Sequence, residues 1–132
     1  ESDTLKMIKV VDSRDGKIVG DPEGVAIYKT SDTEGYVILS SQGGNEFNLY
    51  DRNSLDFIRK FKINSVQDTD GLDVTSETIE GIFPKGFLVV QDGINLRSNQ
   101  NFKVVSMEEV LKKKLSAPGL MDWKNSVLTI RC

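Results

Sequence analysis

Histidine is absent from this 132-residue chain. That removes the side chain that most often moves protons near neutral pH and binds zinc. Acid–base chemistry must run through carboxylates, lysine, tyrosine or bound water. Cysteine is nearly absent as well: Cys132 is the only one, so no intrachain disulfide and no thiolate metal cluster can form. Basic residues are not in excess, with 17 Lys and Arg against 20 Asp and Glu and a formal charge of -3, so a nucleic-acid partner has no electrostatic support. No run approaches the roughly twenty apolar residues that cross a bilayer, and no membrane partner is expected. Glu1 opens without the basic and apolar regions of a signal peptide, and both a processed secreted chain and a cytosolic chain fit the composition. The length suits one domain with a single modest core.

Strand signals dominate what is present. Short runs rich in Val, Ile, Phe, Tyr and Leu alternate with Gly, Asp, Asn and Ser clusters. The pattern predicts strands at Leu5–Asp12, Gly24–Tyr28, Tyr36–Ser41, Glu46–Tyr50, Phe57–Lys62, Gly71–Val74, Gly86–Val90 and Phe102–Ser106, with a tight turn at Asp15-Gly16. One helix is expected at 106–115. Ser106 and Glu109 have capping-box spacing, acids lie in the first turn and lysines in the last, and Met107, Val110, Leu111 and Leu115 can share a face. The closing stretch "MDWKNSVLTIRC" is compatible with a last strand or with an irregular tail.

The chain repeats itself. "DPEGVAIY", "GYVILSSQGG" and "EFNLYD" are followed by "DTDGLDVT", "GFLVVQDG" and "QNFKVVS". A unit of about fifty residues with up to four strands is the period of a β-propeller blade, and it aims both acidic stretches at one axis. Clustered carboxylates repel unless protons or a cation intervene. Ca²⁺ takes six to eight oxygens from carboxylates, carbonyls and water, which the pairs Asp21 and Glu23, Asp68 and Asp70, and Gln91 and Asp92 can supply. The competing view is that acids beside glycine are ordinary turn residues bonding to their own backbone. Recurrence of D-x-[DE]-G at matched strand starts favours the cation. An EF-hand reading of residues 12–23 fails, because Lys17 stands where the loop needs glycine. "SSQGGN" has neither a Walker lysine nor a following helix, which argues against phosphate cradling. Lys112 to Lys114 read as a solvated helix end, and Trp123 as a packing residue.

These ordered motifs, with "GIFPKGFLVVQDGIN" and "NQNFKVVSMEEVL", make the chain from Leu5 to Leu115 resemble the C-terminal part of the β-propeller phytases, calcium-dependent phosphatases of myo-inositol hexakisphosphate (phytate). The resemblance implies an all-β fold of about two blades out of six, built from four-stranded antiparallel units with one short helix. Residues 5–20 would be the outer strand of a preceding blade, 21–65 a full blade, 66–115 the last blade with its helix, and 116–132 a tail. It further implies Ca²⁺ as cofactor, phytate as substrate and secretion. The implied metal ligands are Asp21, Glu23, Asp68, Asp70, Gln91 and Asp92, with Glu23 and Asp70 also taking part in catalysis. In the mechanism so implied, calcium neutralises neighbouring phosphates while a metal-activated water attacks phosphorus. The basic residues of the family's substrate pocket come from earlier blades, and no family motif extends that role to Arg97 or Lys103. A calcium-stabilised binding or scaffold module without catalysis is the alternative. Blade faces without neighbours predict self-association.

Overall fold

A computed structural model describes residues 17–112 and the strand Val127–Ile130. Eight strands form two four-stranded antiparallel sheets. The first contains β1 (Val25–Lys29), β2 (Gly35–Ser41), β3 (Glu46–Asp51) and β4 (Phe57–Phe61), and the second β5 (Leu72–Thr75), β6 (Phe87–Asp92), β7 (Asn101–Ser106) and β8 (Val127–Ile130). Each sheet is a simple meander in sequence order, the blade pattern expected from the repeat. Strand neighbours in each sheet are also neighbours in chain order, including β7 and β8, which residues 107–126 separate. The strand predicted at Leu5–Asp12 and the turn at Asp15-Gly16 lie outside the described residues. The closing stretch supplies a strand: β8 pairs with β7, Val104 opposite Leu128, so the second sheet gains its fourth strand from the chain's own C-terminal segment.

The two sheets repeat in register. Val25 is opposite Leu39 and Leu39 opposite Asn48 in the first. Leu72 is opposite Val90 and Val90 opposite Lys103 in the second. Each β1–β2 or β5–β6 hairpin closes against a glycine with positive φ, Gly35 and Gly86. A Cβ there would come 2.1 Å from Tyr28 O and 2.0 Å from Thr75 O, so only glycine fits where the strand re-enters the sheet.

The core lies between the sheets. Tyr28, Ile38, Phe47, Leu49, Phe61, Ile63 and Val66 from the first half pack with Leu88, Val90, Val105, Met107 and Val110 from the second. Period-two alternation produces this: Ile38 and Leu49 face inward while Val25 and Ile27 face out. β1 lies against β5, and hydrogen bonds outside the strand ladders help tie the sheets. The Tyr28 hydroxyl donates to Lys85 O at 2.8 Å, and burial raises its pKa, keeping it a donor. Arg59 Nη2 donates to Val110 O, with burial lowering the guanidinium pKa.

The helix α1 (Met107–Leu111) is shorter than the 106–115 expected, and residues beyond 112 are outside the described set. Met107 and Val110 are buried and Leu111 is packed against the core, as the periodicity requires. The capping box does not form: Ser106 is the N-cap residue but makes no side-chain bond. Its backbone is still strand, paired through β7 to Phe87, and the Met107 N–H is taken by Gly86 O at 3.1 Å. The first turn is satisfied by the sheet rather than by a hydroxyl.

Candidate functional site

The two D-x-[DE]-G segments lead into the first strand of each sheet, β1 and β5. A chain entering a sheet edge from a loop brings unpaired N–H groups with it, and the following strand supplies the acceptors. In the first sheet these are hydroxyls at the end of β2: Ser40 Oγ accepts from Gly24 N at 2.8 Å and Ser41 Oγ from Val19 N at 2.7 Å. At the matching positions of β6, Gln91 Oε1 accepts from Asp70 N at 2.8 Å and Asp92 Oδ1 from Gln67 N at 3.2 Å. Backbone pairs repeat as well, Ser40 N to Gly24 O at 2.9 Å and Gln91 N to Gly71 O at 3.0 Å.

The loops meet across the sheet boundary. Gln42, in the 3₁₀ turn after β2, donates through Nε2 to Asp70 Oδ1 at 2.7 Å. Its backbone N–H donates to Asp21 O at 3.1 Å. Asn45 Oδ1 accepts from Asp68 N at 2.9 Å. Asn45 and Asp68 both have left-handed backbones, φ 49 and 54, which Asn and Asp tolerate better than most side chains. The result is a small polar junction of Asp21 O, Gln42, Asn45, Asp68, Asp70 and Gln91 at one end of the inter-sheet core.

The six residues expected as ligands divide into three groups. Asp70 and Gln91 are brought together, with Asp68 on the same short loop as Asp70, and both aspartates are exposed. Asp21 and Glu23 are exposed, and neither side chain bonds to any described residue, although the Asp21 carbonyl joins the junction through Gln42. Asp92 is turned inside, 1% exposed. Its Oδ1 accepts from Gln67 N and from Asn95 N at 3.0 Å, and its Oδ2 lies 3.2 Å from Lys103 Nζ. Lys103, 6% exposed, also donates to Asn101 Oδ1 at 2.8 Å and Asn95 Oδ1 at 3.4 Å. The Asp92 carboxylate is thus occupied by two amides and one ammonium. Buried charges persist only when paired in this way.

Among the described residues, no three acidic side chains converge closely enough to hold one ion. Gln42, Asn45 and Lys103 were not among the residues singled out for the site, and Asp92 was expected as a metal ligand rather than as the partner of Lys103. In the register of the two sheets "SSQGG" matches "QDGIN", so Gln42 has Gly93 as its counterpart and the repeat gave it no signal. The cross-sheet bonds themselves depend on which sheets are neighbours, which residue types do not encode.

A model of the phytase family matches residues 1–126 of the chain. Over 124 residues, 85% of the chain, it is 36% identical to a 3-phytase of Bacillus subtilis (strain 168). The match covers 32% of that relative, so the chain spans about a third of the length of the curated relative it matches.

Proposed function

This chain belongs to the phytase family, and on that premise we propose that it is part of a secreted, calcium-dependent phytate phosphatase of the propeller type. In this reading residues 21–65 and 66–115 belong to successive blades, and the closing segment completes the second. The observation that carries the proposal is the junction in which Gln42 of one sheet holds the Asp70 carboxylate of the next at 2.7 Å. It joins the two acidic motifs at one end of the core.

The donor chemistry suits a hard cation: the junction offers carboxylate, amide and backbone oxygens, with no imidazole or thiolate. Asp68 and Asp70 would hold an ion on the second motif and Asp21 and Glu23 on the first. Amide oxygens and water would complete each shell, since among the described residues the acids alone are too few at any point. Bound calcium would lower the pKa of a coordinated water and offset phosphate charge. The chain's own residues do the positioning. Gln42 orients the Asp70 carboxylate, Gln91 fixes the Asp70 backbone, and Asn45 fixes that of Asp68. Asp92 works one layer below, holding the loop rather than the ion, so it leaves the proposed ligand set.

A calcium-stabilised scaffold without turnover is the second reading, favoured by the structural hydrogen bonds that Gln91 and Asp92 already make. Phosphate release from phytate, measured with calcium and with EGTA on material whose assembly state is determined in the same sample, separates the two. Calcium-dependent release supports the phosphatase. Calcium-raised melting with no release, in an assembly large enough to complete the site, supports the scaffold.

A further inference from the structure

A lysine inside a sheet stays there only with partners. Lys103 stands opposite Val90 in β7 and is 6% exposed. Its ammonium has three N–H groups and three acceptors around it: Asn101 Oδ1 at 2.8 Å, Asp92 Oδ2 at 3.2 Å and Asn95 Oδ1 at 3.4 Å. Asn101 belongs to the same strand, whereas Asp92 and Asn95 belong to the turn that leaves β6. The first sheet completes the same meander without any of this. In its register Asn48 stands for Lys103 and Ser41 for Asp92, so the charged pair is not a requirement of the blade.

Its effect is on the segments it reaches. One Asp92 oxygen, Oδ1, accepts from Gln67 N at 3.2 Å and from Asn95 N at 3.0 Å, and so joins the turn to the start of the acidic segment. Gly93 N donates to Gln67 O at 2.9 Å, and a Cβ at Gly93 would lie 2.5 Å from Asp68 O. The turn and the acidic segment are therefore seated backbone to backbone. The turn itself needs a restraint. Asn95, Leu96 and Arg97 follow one another in left-handed backbone, φ 38, 53 and 68, which costs free energy wherever a side chain is present. Leu96 is 80% exposed, so packing does not hold it there. Lys103 grips the turn at two points, the side chains of Asp92 and Asn95.

We infer that Lys103 is a positioning residue for Asp68 and Asp70: its ammonium locks the turn at 92–97, and the locked turn fixes the backbone that presents those two carboxylates. Desolvation offsets most of the attraction within a buried ion pair, so neutral side chains in its place keep the fold and loosen the loop. The effect on a bound cation rests on the calcium reading above, whereas the restraint on the loop does not.

The double variant Lys103→Met with Asp92→Asn removes one charge of each sign and tests this. Amide hydrogen exchange of the calcium-free chain, followed by NMR, is expected to quicken at least about tenfold at Gln67, Gly93 and Asn95, because charge-assisted bonds give way to neutral ones. Exchange within β2 and β3 and the urea midpoint are expected to stay near wild type. Calorimetric titration is expected to show calcium binding at least about tenfold weaker, a split between binding and stability that a purely structural role would not produce. Asn95→Ala keeps the ion pair, removes one acceptor from Lys103 and alters only a surface turn. It is expected to quicken exchange at the same amides by a smaller factor. Wild-type exchange at Gln67 and Gly93 in either variant, or protection lost evenly over both sheets in Asn95→Ala, would overturn the inference. Equal calcium binding by wild type and double variant would overturn its link to the cation. A wild-type chain that binds no calcium refutes the calcium reading instead, and the exchange result then decides the role of Lys103 alone.

Discussion

The two sheets perform the same backbone task with different chemistry. Where β2 ends, Ser40 and Ser41 accept the N–H groups of the incoming acidic segment with neutral hydroxyls. Where β6 ends, Gln91 and Asp92 accept them with an amide and a carboxylate. The second choice requires a buried lysine, because Lys103 stands opposite Val90 where the first sheet has Asn48 opposite Leu39. A serine cap needs no counter-ion, whereas a buried carboxylate does. The difference teaches that an acid in a strand-end motif can belong to the scaffold, and that the acids available to a ligand are those whose side chains turn outward, Asp21, Glu23, Asp68 and Asp70.

The sharpest way to break this comparison is to remove the counter-ion. Lys103→Met should leave Asp92 buried without its cation and cost about 3–5 kcal/mol, read by urea unfolding at neutral pH. Adding Asp92→Asn should recover much of that loss, since the amide oxygen still accepts from Gln67 and Asn95. The equivalent change in the first sheet, Asn48→Ala, removes the donor to Lys17 O and Tyr50 Oη and should cost about 1–3 kcal/mol. Equal losses at the two positions would mean the charge makes no difference.

Close behind in size is the contrast between matched phenylalanines. Phe47 is buried and stacked on Phe61 with ring centroids 5.3 Å apart, so Phe47→Ala should cost about 3–4 kcal/mol. Phe102→Ala, at the exposed counterpart, should cost under about 1 kcal/mol in dilute chain. Smaller still is the junction bond. Gln42→Ala should change stability by less than about 1 kcal/mol, yet weaken terbium or calcium binding measured by titration, because the Asp70 carboxylate loses its cross-sheet support.

The smallest effect concerns the ends of β3 and β7. Asp51 closes a turn by accepting from Ser54 N at 2.8 Å and Asn53 N at 2.9 Å, and these bonds lower its pKa from the ordinary aspartate value. A carboxyl with a depressed folded-state pKa contributes stability above its unfolded value and loses it as pH falls through the folded one. Asp51→Ala should therefore melt lower than wild type at neutral pH, and the two should converge on acidification below the ordinary carboxylate range. Its counterpart Ser106 opens a helix and should show no such pH dependence.

The strands were legible because alternation and glycine-marked turns are local. Predicted and observed bounds differ by only one or two residues, as at Gly24–Tyr28 against Val25–Lys29. The short helix was legible in its buried face but not in its cap, since the Met107 N–H is claimed by Gly86 across the sheet. The site was legible in residue type and less so in role. Asp92 and Asp70 look alike in sequence, and only the register that buries Lys103 beside one and presents Gln42 to the other separates them. Gln42 itself carries no acid and so gave no signal of its own.

Calorimetric titration of calcium into the wild-type chain and into Asp70→Asn is the most direct test of the junction as a cation site. Binding by the wild type that falls at least about tenfold in the variant, a difference of about 1.4 kcal/mol, is the predicted result. No measurable calcium binding by the wild type, or equal binding by both, would contradict the account.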